Sequence, residues 1–463
     1  MFRVPVLLAL LALASCAGED PRVRLSRAAE RIGATTLVSM RYEATGHLHV
    51  FGQSARPGNP GPRFALDEYV VEIDFTAPAM AETFTRRPIG PPRGGAGQPL
   101  EGPERHRWAV ARDVAWDETP DGVVARARPV VEERFVEIWL TPHGFVKAAL
   151  AHDAAVTPRD DGGLVVRFTA LDRYTVTGEI GPDDFVERVE SAVVDPLAGD
   201  VPVLAVYHGY RQFGGLWFPT VISRSKGGQP VHDLEVRGVI AGAPVALAPP
   251  ADLPDGDARP PVAIDEVDEG VHYVTGGTHH SVVIEFNDHL AIVEAPLDEA
   301  WSEAVIAAVR EAIPGKTIRY VINTHHHADH AGGLRTYVAE GAVVVTHEIN
   351  RPFYERLWLT PRTLAPDRLS ASARAPSFIT VDDWHEFTDL RRVVEVHHVA
   401  GNGHDDGLLM VWLPRERILI QADAPAEGDD LDVYAANLEA NIERLGLAVE
   451  RRLALRGEVE EDE

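Results

Sequence analysis

The sequence is nearly without cysteine: among 463 residues the only one is Cys16. A disulfide framework is thereby excluded, and so is a thiolate-rich zinc or iron–sulfur centre. Positive charge is scarce as well. Forty-four Lys and Arg stand against 71 Asp and Glu, for a formal net charge of −27. A field of that sign repels phosphate backbones, so no nucleic-acid partner is expected, and it offers no polybasic grip on anionic lipid. No apolar run approaches the ~18 residues needed to cross a bilayer. What remains is soluble-globular composition, 45% hydrophobic and 25% charged, which excludes wholesale disorder. The length suits two large domains or about three of ordinary size.

Met1 to Asp20 reads as an export signal. Arg3 precedes an apolar run from Val4 to Ala14, of the length of a signal-peptide core and too short to span a membrane. The run ends in Leu13-Ala14-Ser15-Cys16, which resembles the bacterial lipobox. Residues 1–15 are therefore expected to be a lipoprotein signal peptide, cut before a lipidated Cys16. The alternative is an ordinary secretory signal with an incidental cysteine. Ala17 follows where an Asp would signal inner-membrane retention. The expected location is the cell envelope, anchored by lipid to the outer membrane and facing the periplasm.

Residues 21–240 read as a β-rich antiparallel domain. Tyr69–Phe75, Arg134–Leu140 and Leu164–Phe168 are expected strands, bounded by turns such as Asp160-Asp161-Gly162-Gly163. One helix is expected, from Asp183 to Val194. Residues 241–262 hold six prolines and read as a semi-extended linker and domain boundary. From 263 to 463 the pattern changes to alternating strands and helices, which implies a layered α/β domain. There Asp298 is expected to cap a helix striped by Trp301, Val305, Val309 and Ile313.

The densest chemistry lies in Thr324-His325-His326-His327-Ala328-Asp329-His330-Ala331-Gly332-Gly333. Four imidazoles and one carboxylate fall within six residues, just after an expected buried strand at Ile318–Ile322. Neutral imidazole and carboxylate are the zinc ligands left to a chain without thiolates. In a tight loop alternate residues point to one side, so His325 and His327 can share one ion while Asp329 and His330 turn toward a second. Gly332-Gly333 is expected to let the backbone turn sharply into the next helix. His326, between two ligands, is expected to point away and pack.

This HxHxDH-x-GG string resembles the signature of the metallo-β-lactamase fold superfamily, over about Asp265 to Glu463. The resemblance implies an αββα sandwich in the C-terminal half, after the β-rich domain. It implies that His325, His327 and His404 hold a first zinc, the last in the loop Gly401-Asn402-Gly403-His404. Asp329 and His330 would hold a second, with Asp423, after Ile418–Ala422, bridging both. A bridging Asp resembles hydrolases of the glyoxalase II type more than thiolate-bearing lactamases. The family closes its second site with a His in a late His-Gly turn. Arg456-Gly457 stands there instead, and Arg cannot ligate because it stays protonated. Three readings stay open: a weakened second site, Arg456 supplying charge in place of that metal, or a C-terminus altered from its relatives.

Other histidines rank lower. His279 and His280 sit in a loop near the start of the domain, where they either line the pocket or pack. Of His397 and His398 on one strand, only one can face inward. His347-Glu348 and His385-Glu386 lack the second His of a zincin helix, and Ser223-Arg224-Ser225-Lys226 lacks the companion motifs of a serine acylase. The resemblance thus implies a hydrolase with one or two zinc ions. Hydroxide supplied at the metal would attack an ester, amide or lactam, or phosphoester of a small-molecule substrate, and Asp329 would orient the water and handle its proton. The alternative is a lipid-anchored binding or scaffold lipoprotein with a degenerate metal site.

Overall fold

The computed structural model describes residues 19–258, 261–372, 374–423 and 432–457. The expected signal peptide, Cys16 and the acidic tail after Gly457 lie outside the described residues. Among the described residues no helix is long and apolar enough to cross a membrane.

Residues 39–241 build one 13-stranded sheet in which every pairing is antiparallel. The first six strands form a meander. Its innermost strand, Ser39–His49, pairs with Gln229–Ala241, and the later strands continue outward to an edge at Ala155–Pro158. Three helices, Pro21–Ile32, Arg128–Leu140 and Pro142–Ala151, pack Leu25, Ile32, Val136 and Phe145 into one core with Tyr69, Phe84, Val176 and Phe218.

Two local expectations fail here. Arg134–Leu140 belongs to the helix Arg128–Leu140 and is no strand. Pro129 suits its first turn, and the burial it gains on the sheet overrides the β-propensity of Phe135, Val136, Ile138 and Trp139. Asp183–Val194 is no helix: Val186–Asp195 is a strand. A bulge between Val186 and Arg188 breaks its alternation, so the buried residues Val186, Val189 and Val193 fall at helix-like spacings. The proline-rich segment lies against the sheet, with Leu247 and Leu253 packed beside Ala79, Ala109 and Trp116.

The C-terminal half is α/β. Strands from Ala263–Asp268 to Phe378–Val381 make a seven-stranded sheet, and strands from Trp384–Thr388 to Arg451–Ala454 make a five-stranded one. Val282, Ile284, Val293 and Ile322 of the first meet Val394, Val396, Leu409 and Ile420 of the second in a shared inner core. The outer face of the seven-stranded sheet is covered by the helices Glu299–Ala312 and Leu334–Glu340, through Trp301, Val305, Leu334 and Val338. The outer face of the other is covered by Val433–Leu445, through Leu438 and Ile442. Helix, sheet, sheet, helix is the expected sandwich. Asp298 caps its helix as expected, accepting from Trp301 N at 3.0 Å.

The two halves touch through specific polar contacts. Asp200 accepts from the backbone nitrogens of Thr363 and Leu364, and Arg362 donates to the carbonyls of Pro196 and Leu197.

Candidate metal centre

The expected ligands lie in segments that follow strand ends, Asp329 and His330 within the short helix Ala328–Ala331. The parallel strands His289–Val293 and Thr317–Ile322 end at Glu294 and at the loop from Asn323 to His327. In the other sheet Val393–His398 precedes His404, Ile418–Gln421 precedes Asp423, and Arg451–Ala454 precedes Arg456. Loops outside the carboxyl ends of strands are where open α/β sheets place their sites. Glu294 and Asp423 both adopt left-handed backbone, with φ of 76° and 49°. Such strain in non-glycine residues concentrates at functional sites.

His325, His327 and His404 converge as expected. His325 Nε2 stands 3.1 Å from His327 Nδ1 and 3.3 Å from His404 Nε2. All three rings are buried. Burial lowers their pKa values, that of His327 to about 3, so each is a neutral imidazole with a lone pair. Lone pairs aimed at one another repel unless a cation lies between them. A tetrahedral zinc with ~2.0–2.1 Å bonds to nitrogen spaces its ligand atoms about 3.3 Å apart. The residues present therefore fit zinc.

Asp423 turns Oδ2 toward the same place, 2.6 Å from His330 Nε2, 3.4 Å from His325 Nε2 and 3.6 Å from His404 Nε2. Burial would raise its pKa, but His330 and His404 outweigh that and hold it well below the ordinary range. His330 responds in the opposite sense. Burial disfavours its charge, yet Asp423 and Glu294 raise its pKa well above normal. Asp329 faces His330 and His279, and the donor atoms of these three lie within 4.8 Å of one another. The structure thus brings all six expected ligands into two adjoining groups. Arg456 closes the edge, with Nη1 2.7 Å from Asp423 Oδ1 and 4.0 Å from Asp329 Oδ2.

Gly332 and Gly333 correct one expectation. Their φ values, −60° and −92°, are open to any residue, so no sharp glycine turn occurs. Space is what they supply: a Cβ would fall 2.0 Å from Leu297 O at Gly332 and 1.9 Å from Ser302 Oγ at Gly333.

Several contributors had no signal in the ligand pattern. Glu294 is fully buried and accepts from Asn323 Nδ2, from Thr324 Oγ1 at 2.5 Å and from His330 Nδ1 at 3.0 Å. An acid inside the apolar run Ala291-Ile292-Val293-Glu294-Ala295 was the available clue. His326 points away from the three ligands, toward the buried Asp405 and, at 3.3 Å, Ser54 Oγ. His280 turns to Gly457 O, and His397 to Glu395.

The N-terminal half reaches into the centre. Ser54 O accepts from His327 Nε2 at 2.9 Å, which leaves His327 Nδ1 free to face the other ligands. Gln53 donates from Nε2 to Asp329 Oδ1 at 3.0 Å and accepts from Ala96 N at 2.9 Å. Gly94 N donates to Gly403 O, beside His404, and Arg93 pairs with Asp406. A cleft of about 560 Å³ opens on Asp329, with Thr278 and Leu297 on one side and Arg126, Val130 and Asp195 of the N-terminal half on the other.

Comparison with known proteins agrees with this architecture. Residues 274–453, under half of the chain, match the family model of the metallo-beta-lactamase superfamily, and this region has that α/β fold. No curated protein matches the chain. Similar solved structures include a metallo-beta-lactamase from Pontibacter korlensis, 16% identical, covering 42% of this chain and 92% of that one with a TM-score of 0.34. The DIM-1 metallo-beta-lactamase is 18% identical over 43% of this chain and 92% of its own, TM-score 0.33. A metallo-beta-lactamase from Hirschia baltica is 19% identical over 43% and 91%, TM-score 0.34. Likeness at this level carries no argument about substrate.

Proposed function

We propose that this chain is a zinc-dependent hydrolase of small ester, amide or lactam, or phosphoester substrates. The observation that supports this reading is the convergence of three neutral imidazoles, His325, His327 and His404, with the Asp423 carboxylate, beside a cleft that opens on Asp329. Zinc held by such ligands would supply a nucleophilic water near neutral pH and would polarise the oxygen of the scissile group. The protein's part is orientation. Asp329 sits at the cleft with one oxygen fixed by Gln53 and the other toward His279. Burial opposes its charge, but the surrounding imidazoles lower its pKa and keep it ionised. So weak a base suits Asp329 to align an attacking water by accepting a hydrogen bond more than to retain its proton. Glu294 and Asn323 hold the ligand loop beneath.

The reading as a binding lipoprotein with a degenerate site gains no specific observation. Export and lipid attachment at Cys16 remain part of the proposal, on the strength of the first twenty residues. A Cys16→Ser variant should leave the membrane fraction, and retention there would refute the anchor. The activity is tested by presenting the zinc-loaded protein with a panel of chromogenic esters, lactams and phosphoesters, with and without a chelator. Hydrolysis of at least one class, abolished by the chelator and restored by zinc, is expected. No turnover in any class would overturn the proposal.

A further inference from the structure

Resting on that reading, we infer that His279 is the missing ligand of the second metal, taking the place left by Arg456. The backbone supplies the first argument. Residues 278–280 pair antiparallel with residues 455–457, so that His279 stands directly across from Arg456. His280 N donates to Leu455 O at 2.9 Å and Gly457 N to Thr278 O at 3.1 Å. A side chain from one strand of such a pair can reach the space its partner would have filled.

The ring supplies the second argument. His279 is 7% exposed, and its Nε2 has no hydrogen-bond partner. That atom points into the cluster, 3.5 Å from Asp329 Oδ2, too long for a good hydrogen bond. The ring stands at 69° to that of His330, with centroids 5.0 Å apart. A buried imidazole nitrogen left unpaired is costly unless something else satisfies it. The other nitrogen, Nδ1, lies 3.0 Å from Thr278 Oγ1. With Nδ1–H donating there, the lone pair rests on Nε2, the arrangement that metal-binding histidines adopt.

The third argument is the count of donors. His279, Asp329 and His330 place ligand atoms within 4.8 Å of one another, and Asp423 Oδ2 lies 2.6 Å from His330 Nε2. Two imidazoles and two carboxylates make a four-coordinate set that suits zinc. Arg456 then has a different task. It binds Asp423 through Oδ1 and leaves Oδ2 turned toward the imidazoles. Arg456 is a positioning residue, and its guanidinium does not stand in for the second ion.

The test is zinc per chain by elemental mass spectrometry after dialysis against metal-free buffer, with both dissociation constants read by competition against a chromogenic chelator. It is run on the full chain, on His279→Ala and on His279→Gln, which preserves volume if Ala unfolds the loop. Circular dichroism confirms that the variants fold. The expected result is two zinc ions in the wild type and one in a folded variant, with the tighter constant unchanged and the weaker raised at least 100-fold. Two ions in the folded variants, or one in both wild type and variants, would overturn the assignment while leaving a hydrolase with its first metal. None in the wild type would overturn the zinc reading itself.

Discussion

Ser54 lends its backbone oxygen to His327 Nε2 at 2.9 Å although 273 residues separate the two in sequence. The carbonyl fixes which nitrogen of His327 carries the proton. The N-terminal half is thus part of the outer shell of the candidate metal centre, and partners of this kind orient ligands and raise their basicity. Three predictions follow from how these shells are built, and a fourth from the N-terminal core.

Gln53 spans Ala96 N and Asp329 Oδ1 with a single side chain. Its replacement by Ala frees Asp329 to rotate. Loss of an outer-shell partner typically costs 10–100-fold in metal affinity. Gln53→Ala is expected to weaken zinc binding about tenfold, read by chelator competition. An unchanged constant would show that the contact does not hold Asp329.

Gly95 packs against the same group. A Cβ there would fall 2.1 Å from Gln53 Oε1 and 3.0 Å from His327 Cε1. The flexible Gln53 side chain must give way, breaking the contacts just described. Gly95→Ala should therefore match Gln53→Ala in direction. Residues that share a partner are not additive, so the double variant should bind zinc about as well as the weaker single one. Fully additive losses would sink this account.

Glu294 accepts four hydrogen bonds, from Asn323 Nδ2, Thr324 N, Thr324 Oγ1 and His330 Nδ1. A Gln keeps the shape but presents an amide to some of these donors. Buried polar groups left unsatisfied cost about 1–3 kcal/mol each. Glu294→Gln is expected to lower the unfolding free energy of the metal-free protein by about 2–4 kcal/mol. Denaturant titration checks this, and a change below about 0.5 kcal/mol would contradict it.

His143 gives a pH dependence far from the metal. It is fully buried against Phe218, donates to Ile32 O at 3.1 Å, and burial lowers its pKa from 6.5 to about 4. Below 6.5 the unfolded chain binds a proton that the folded chain refuses. The contribution of the neutral ring is whole above 6.5 and is lost as the pH falls from there toward 4. The span is worth about 3 kcal/mol. In unfolding measurements between pH 7 and 4, His143→Gln should lose that much less stability than the wild type. Parallel pH curves for the two would refute the assignment.

How much of this was readable in the chain depends on the range of each interaction. The loop from His325 to His330 is legible because its candidate ligands are neighbours: spacing alone groups His325 with His327 and Asp329 with His330. The helix Glu299–Ala312 is legible for the same reason, since its cap and its four-spaced stripe are local. His404 and Asp423 are tied to this loop only by the family resemblance, because they follow it by some eighty to a hundred residues and nothing local links them to it.

The misreadings fall where packing outweighs local preference. Arg128–Leu140 carries strand-like residues but is wrapped by the sheet and the neighbouring helix Pro142–Ala151, so its buried positions show no single stripe. In Val186–Asp195 one bulge is enough to shift the burial pattern off its period of two. The sequence by itself determined the chemistry of the centre, because ligand identity and loop spacing are properties of consecutive residues. Tertiary structure alone decided that Gln53, Ser54 and Gly95 close over that centre and that His279 faces Arg456. Those contacts join segments about 180 to 310 residues apart in sequence, and pairings over such distances leave no periodicity in the chain.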